Sequence, residues 1–430
     1  MFRAPPSPSG RGSYYAATGT PFPDQPSLTC DATADVCVIG AGFTGLGAAL
    51  ELARRGVSVI VLEADRVGAA ASGLNGGQVH TGQRRDQAWL EKAVGKDDAL
   101  NLWRLAEDAR AHLQATIAGH GIACDLKPGM IHARHRPNGE AEDAAHIEHM
   151  ARVYGCDALS LIGAEDLAHE LGTQAYHGGL IDRDGGHLHP LNLARGMARA
   201  AIAAGAVIHE QSRAIDWRRE GGKVVVQTAM GEVTCDQLIV SGDGSLNRMA
   251  RRARTRVMPI NNFILTTQPL GELAQAIIRS DAAVADSRFV VNYFRKTPDG
   301  RLLFGGGENY RPGFPADIAG FVRRHMLKVY PQLADVKIDH AWGGTLGITM
   351  NRVPFVGDVA PGVRVASGYS GQGVMLAPYV GKLVADAALG ETSGVELLSR
   401  LPTPPFPGGR LLRWPLTVAG LSWYAMRDRL

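Results

Sequence analysis

The stretch VIGAGFTGLG, residues 38–47, constrains the fold more than any other part of the chain. Its glycines at 40, 42 and 45 spell G-x-G-x-x-G, which alone fits NAD, NADP, FAD or a chance turn in a chain with 53 glycines. The flanks narrow the choice. Asp35-Val36-Cys37-Val38-Ile39 is a short apolar run of buried-strand type. Leu46, Ala49, Leu50 and Ala53 then recur at helical spacing, and Arg54-Arg55-Gly56 closes the helix. Residues 57–62 read as a second strand that ends at Glu63. This is a βαβ unit with its acidic residue about 20 positions after the glycines, the dinucleotide-binding arrangement. Gly40 permits the tight turn, Gly42 lets the backbone approach a pyrophosphate, and Gly45 packs helix against strand. Phe43 and Thr44 start the helix, whose N-terminus faces the phosphates. Glu63, with Ala64 beside it, is placed to accept from the adenosine ribose hydroxyls. A ribose 2′-phosphate would be repelled there, which sets NADP aside.

The segment after Glu63 favours FAD over NAD. Residues 64–86, ADRVGAAASGLNGGQVHTGQRRD, are small residues, glycines and a few polar side chains, suited to a backbone lying along an extended cofactor. A late segment, Gly368-Tyr-Ser-Gly-Gln-Gly373, precedes an expected helix over 374–389. Its N-terminus, at Gly371, Gln372, Gly373 and Val374, is placed for the flavin pyrimidine end, where a helix dipole stabilises negative charge. An NAD-dependent dehydrogenase is the competing class, and it predicts a colourless protein.

Composition removes other classes. The chain of 430 residues is 45% hydrophobic and 20% charged, with a net charge of +3, so neither disorder nor a nucleic-acid partner is implied. The arginines at 248, 251, 252, 254 and 256 lack interleaved aromatics and read as a solvated helix face. Five scattered cysteines form no C-x-x-C pair, which argues against a metal site and fits a reducing compartment. No apolar run reaches the ~18 residues of a membrane span. With no apolar signal core at the start, the expected location is cytoplasmic.

The longer motifs carry a resemblance. ADVCVIGAGFTGLGAALELARRG, VLEADRVGAAASGLNGGQ, AWGGTLGITMNRVPFVG and ASGYSGQGVMLAPYVGKLVADA resemble the amine-oxidising flavoproteins of the D-amino-acid oxidase superfamily, and within it the gamma-glutamylputrescine oxidoreductase group. The resemblance runs from about residue 13 to the C-terminus. It implies a two-domain α/β fold: a Rossmann-type FAD-binding domain with an antiparallel-sheet substrate domain inserted. The expected division is an arm over 1–30, an FAD-binding domain over 31–90, 155–250 and 341–398, a substrate domain over 91–154 and 251–340, and a tail over 399–430. The implied chemistry is oxidation of a CH–NH bond by hydride transfer to flavin N5, the imine then being hydrolysed. The implied substrate is gamma-glutamylputrescine or a related polyamine derivative. A secondary or cyclic amino acid, such as pipecolate or a sarcosine-like compound, is the alternative, as is a flavin-holding subunit of a larger complex.

Flavin chemistry of this kind needs positioning and desolvation more than a strong acid or base. Asn75, Gly76, Gly77 and Gln78 are the candidates for isoalloxazine contact; Ser72, Ala214 and Gly242 complete the expected FAD contacts. His80, on the same loop, is a candidate to line the site or to carry a covalent flavin link; noncovalent FAD is expected because the matching group binds it so. Arg84 and Arg85 are candidates for a two-point hold on a substrate carboxylate, or ordinary exposed arginines. Trp342 and Arg352 lie in a segment the fold brings near the flavin, Trp342 as an apolar wall or as plain core. Tyr293 and Arg295 read as structural. Two departures bear on the electron acceptor. GRLLFGGGE, 300–308, holds no lysine where sarcosine oxidases carry one over the flavin, and Met375 stands where those enzymes have another. Oxygen, a membrane quinone and a soluble carrier all stay open as acceptors. The apolar stretch 414–426 is too short to span a membrane and is expected to pack on the protein, with a peripheral membrane contact as the alternative.

Overall fold

The computed structural model describes residues 12–245, 249–309 and 313–408, with isolated positions between 415 and 420. Arg248 and most of the apolar stretch 414–426 therefore lie outside the described residues. Two sheets organise the chain. In the first, strands Ala32–Ile39, Val59–Leu62, Glu232–Val240, Val363–Ser367 and Val207–His209 run parallel. Val59–Leu62 is buried at all four positions, as a strand covered on both faces must be. Antiparallel strands extend this sheet: Phe355–Ala360 at one edge, and Lys223–Gln227 with Asp216–Glu220 beside Glu232–Val240. Met230 and Gly231 lie in the turn between Lys223–Gln227 and Glu232–Val240.

Helices Phe43–Arg54, Lys96–Gly119, Pro190–Ala203 and Gly373–Ala388 share one core over the first sheet. Two of them touch backbone to backbone. A Cβ on Gly47 would lie 2.3 Å from the Pro378 carbonyl, and one on Gly381 would lie 2.3 Å from that of Thr44. Glycine at both contacts brings the two helix N-termini to the same end of the sheet. Pro190–Ala203 starts where its caps predict: the His189 side chain accepts from the Asn192 N–H, and proline occupies the first turn.

The second sheet has nine strands and is mostly antiparallel. Its order is Ile338–Ile348, Met258–Thr267, Leu302–Asn309, Tyr293–Lys296, Ala283–Asp286, Lys127–Ala133, Gly179–His187 and Gln78–Val79, with Leu159–Ile162 paired to Gly179–His187. Helices Ala164–Leu171 and Ile318–Val329 cover it. The two sheets cross the expected boundaries. Helix Lys96–Gly119, expected with the substrate sheet, buries Leu102, Leu105 and Leu113 against the first sheet's helices. Strands Gln78–Val79, Leu159–Ile162 and Gly179–His187, and residues 341–348 of Ile338–Ile348, expected with the cofactor sheet, belong to the second. Gly179–His187 reads GLIDRDGGH, whose glycines and charges conceal a strand from periodicity.

No single helix among the described residues is long and apolar enough to cross a membrane.

Candidate functional site

The Gly40 turn is built for close approach. Gly40 has φ +101°, and a Cβ on Gly45 would stand 1.9 Å from the Gly40 carbonyl oxygen. Both positions therefore require glycine. Glu63, at the end of its strand, accepts from the Ala41 N–H at 2.7 Å and the Asp65 N–H at 2.9 Å. Burial raises its carboxyl above the ordinary value while those N–H donors pull it back. The carboxylate thus fixes the turn that the glycines open. Helix Phe43–Arg54 starts at Gly42 with no side-chain cap. The Phe43 N–H donates to the Ser72 hydroxyl at 2.9 Å, which ties the helix start to the loop beyond the βαβ unit.

From that helix start a cavity of about 470 Å³ runs between the two sheets. Gly42, Phe43, Thr44 and Ser72 line one part, and Asn75, Gly76 and Gln78 continue the wall. Gly371, Gln372, Gly373 and Val374 close it with a second helix N-terminus that also lacks a side-chain cap. Two helix ends whose N-cap residues supply no side-chain bond, the first giving its Phe43 N–H to Ser72, and a glycine turn form a cradle for an extended anionic molecule. The donors fit FAD: backbone N–H groups at both helix starts and a groove wall of small residues between them. The hydroxyls of Thr44 and Tyr369 meet at 2.7 Å across the groove.

Several loop side chains shape the wall itself. The Asn75 amide donates to the Ala71 and Ser72 carbonyls and accepts from the Gly77 N–H. Gln78 donates to the Val284 carbonyl, 2.7 Å away on the second sheet. Gln372 donates to the Thr81 and Gly82 carbonyls at 2.8 and 3.0 Å, holding the segment that carries His80 and Arg84.

His80 and Arg352 line the cavity on the side of the second sheet; Trp342 does not. The Trp342 indole is 5% exposed, donates to the Leu74 carbonyl and packs on Tyr15 behind the loop. Its expected place as a wall of the site is corrected to core packing. Gly40, Gly45, Glu63, Ala64, Gly77, Ala214 and Gly242 also stand back from the cavity wall. Ser241 and Asp243, which flank Gly242, line it instead, and Ala214 packs on the far face of the first sheet. Asp243 accepts from the Gly347 and Gly368 N–H groups, joining the two sheets; burial raises its carboxyl.

The cavity gathers residues the sequence did not single out: His132, Asp286, Arg288 and Phe289. His132 sits on Lys127–Ala133, its ring 5.8 Å from that of His80. Burial holds both imidazoles below the ordinary histidine value; His132 and Arg84 add to the effect on His80. Arg84 lies beside them, and its guanidinium is pushed down to about 10 by burial, then by Arg352 and Arg85. No carboxylate pairs with Arg84 among the described residues. Arg352 stacks on Phe289 at 4.4 Å and has φ +59°, a conformation an arginine rarely adopts. The nearby carboxylate, Asp286, is already used: it accepts from Arg288, Asn292, Tyr176 and two backbone N–H groups. Among the described residues, Asp286 therefore has no bond to offer Arg84. Arg85 points elsewhere, to the Asn351 carbonyl. Alternation along Lys127–Ala133 was the available signal for His132; the loop after Ala283–Asp286 offered none.

Comparison with known proteins agrees with this geometry. The family model described as "FAD dependent oxidoreductase" (DAO) matches residues 35–387. A "Probable oxidoreductase OrdL" of Rhizobium meliloti is 43% identical over 97% of both chains. The "Gamma-glutamylputrescine oxidoreductase" of Escherichia coli is 38% identical, covering 97% of this chain and 98% of its own. Among solved structures, glycine oxidase from Geobacillus kaustophilus superposes with a TM-score of 0.73 at 21% identity, over 87% of this chain and 99% of its own. L-proline dehydrogenase from P. horikoshii superposes with a TM-score of 0.69 at 18% identity, over 86% of this chain and 98% of its own.

Proposed function

The chain belongs to the FAD-dependent oxidoreductase family, an enzyme of amine or amino-acid donors, and from that premise we propose that it oxidises an amine whose far end carries a carboxylate, with gamma-glutamylputrescine as the favoured substrate. The observation that carries the reading is Arg84: a cation enclosed beside the cavity with no acidic partner among the described residues, next to Arg352. Gamma-glutamylputrescine has a carboxylate beside the α-amino group of its glutamyl end and a primary amine at the other. An arginine fork suits the first. Free putrescine, a dication, has no carboxylate to offer it. The 38% identity to the Escherichia coli protein of that name supports the same choice.

When bound, noncovalent FAD supplies the two-electron acceptor for hydride from the carbon bearing the amine. The chain supplies the setting. Gly42 and the helix starts at Phe43 and Gly373 would hold the cofactor's phosphates and pyrimidine end, and Asn75, Gly76 and Gln78 would line its ring. Glu63 and Ala64 lie toward the adenosine end. On the substrate side, Arg84 and Arg352 anchor the carboxylate, and Phe289 gives an apolar wall. His80 and His132 are neutral, so each ring accepts a hydrogen bond from a neutral amine but adds no negative charge to favour an ammonium. The Arg84 charge discourages the protonated amine further, and hydride leaves only the neutral form. Hydrolysis of the released imine gives the aldehyde and ammonia.

The alternative is a secondary or cyclic amino acid, for which the same arginines would hold the α-carboxylate. The test is the anaerobic visible spectrum of purified protein with each compound. Bleaching of the yellow flavin by gamma-glutamylputrescine supports the proposal. Bleaching by pipecolate or sarcosine but not by gamma-glutamylputrescine refutes it. Admission of air then asks whether oxygen is the acceptor.

A further inference from the structure

Arg295, on Tyr293–Lys296, is a cation buried in the protein. It is 3% exposed, and its donors all meet neutral acceptors. Nε donates to the Gly76 carbonyl at 2.8 Å, and Nη1 to the Lys296 carbonyl at 3.1 Å. Nη2 donates to the Leu188 carbonyl at 3.1 Å and to the Tyr15 hydroxyl at 3.2 Å. Arg295 has no ion pair among the described residues. Of the acids nearby, Asp281 is taken by Lys127 and Asp299 by Arg301 and Tyr14, while Asp125, which lines the same small void, is exposed to solvent and makes no ion pair with Arg295. His187 and His189 lie alongside, and burial, reinforced by Arg295, pushes both down to about 4. They are neutral at pH 7 and add no charge. The void shared by these residues is about 10 Å³, room for about one water, so bulk solvent does not screen the guanidinium.

Burying an unpaired charge is costly, and four neutral acceptors do not need a cation to satisfy them. The guanidinium instead stands one carbonyl group behind the cofactor cavity, because Gly76 forms part of its wall. In such surroundings a charge acts strongly over several ångströms. We propose that Arg295 is a positioning residue with an electrostatic role: it fixes the Gly76 carbonyl, and its uncompensated charge favours negative charge on the bound cofactor, raising the cofactor's reduction potential. The N-terminal arm takes part, since Tyr15, fully buried, supplies one of the acceptors.

The test measures the two-electron midpoint potential of the FAD-loaded protein against reference dyes. Variants R295K and R295Q keep and remove the charge. Variants Y15E and Y15Q are matched in size, but only the glutamate pairs the guanidinium in place. R295Q and Y15E are expected to weaken reduction at least tenfold, a shift of about 30 mV to more negative potential. R295K and Y15Q are expected to stay within about a third of that shift of the wild type. Where R295Q fails to load FAD, the Tyr15 pair decides. The inference is overturned if Y15E and Y15Q have the same potential, or if loaded R295Q keeps the wild-type potential and loses only stability or FAD affinity. It rests on FAD in the cavity and not on the choice of substrate. A colourless wild-type protein would defeat that premise, whereas a yellow one that ignores the charge at 295 would defeat this inference alone.

Discussion

Arg84→Met is the sharpest perturbation of the substrate side. The enclosed guanidinium is lowered from its ordinary value to about 10, an environment unfavourable to the charge by about 3 kcal/mol. The unliganded protein carries that cost, and a bound carboxylate relieves it. Methionine keeps the apolar stem and removes the charge. The substitution therefore has two opposite effects. Thermal stability of the unliganded, FAD-loaded protein should rise, by at most about 3 kcal/mol. Binding of a carboxylate-bearing substrate should lose a charge-assisted hydrogen-bonded contact of about 2–3 kcal/mol, or about 30- to 150-fold in kcat/KM. Anaerobic stopped-flow reduction of the flavin reads the second effect without relying on any electron acceptor, and a melting curve reads the first. Arg84→Lys, which keeps a point charge but not the fork, should fall between wild type and Arg84→Met. The reasoning is refuted if Arg84→Met leaves kcat/KM for gamma-glutamylputrescine within threefold of the wild type. It is also refuted if putrescine, which has no carboxylate, loses reactivity to the same degree.

The same geometry predicts other outcomes. Gly45→Ala drives a methyl group into the Gly40 carbonyl 1.9 Å away, so the helix must shift from the turn; the expected cost is about 1–3 kcal/mol in melting stability, with a fall in the flavin-to-protein absorbance ratio. Gln372→Ala releases the Thr81 and Gly82 carbonyls; KM should rise several-fold while the flavin spectrum and FAD content stay unchanged, and a changed spectrum with constant KM would contradict this. His80 and His132 have folded-state values below the usual 6.5, so the unfolded chain binds more protons in acid. Their contribution to stability is full above pH 6.5 and declines as pH falls below it, which melting curves between pH 5 and 8 would read. In activity, kcat/KM should climb with pH toward the pKa of the substrate amine, with no separate inflection near 6.5.

The cofactor half of the molecule was legible because its requirements are local. A turn that needs φ +101° at Gly40 and a helix that cannot accept a Cβ at Gly45 write themselves as glycines at fixed spacing. The loop at 72–78 was legible for a related reason: Ser72 and Asn75 bond to backbone within or beside it. Trp342 misled because a large aromatic in a segment close to the cofactor suits a wall and a core equally, and only the Leu74 carbonyl and Tyr15 behind the loop decide. Arg295 reads as structural on its strand, and nothing local reveals that its partners come from residues 15, 76 and 188. His132 and Arg288 reach the cavity through pairings between distant strands, Lys127–Ala133 with Gly179–His187 and with Ala283–Asp286.

This division explains why substrate identity is the hardest property to extract from such a chain. The proposed cofactor cradle is made of backbone N–H groups and glycines, which tolerate almost no replacement. The proposed substrate side is lined by Arg84, His80, His132, Phe289 and Arg352, side chains on loops and strand ends whose exchange leaves both sheets intact. Charge is the property that these positions transmit most clearly. A cavity with no acidic partner for Arg84 among the described residues, Asp286 saturated and two neutral imidazoles favours a substrate that brings a carboxylate. That pattern separates gamma-glutamylated amines and amino acids from free polyamines. It does not separate the first two from each other, because both present a carboxylate. The distance between carboxylate and reacting amine does, so reactivity across a series of ω-amino acids of increasing chain length is the measurement that discriminates them. A maximum at a long spacing favours the gamma-glutamyl amine, and one at the α-amino acids favours the alternative.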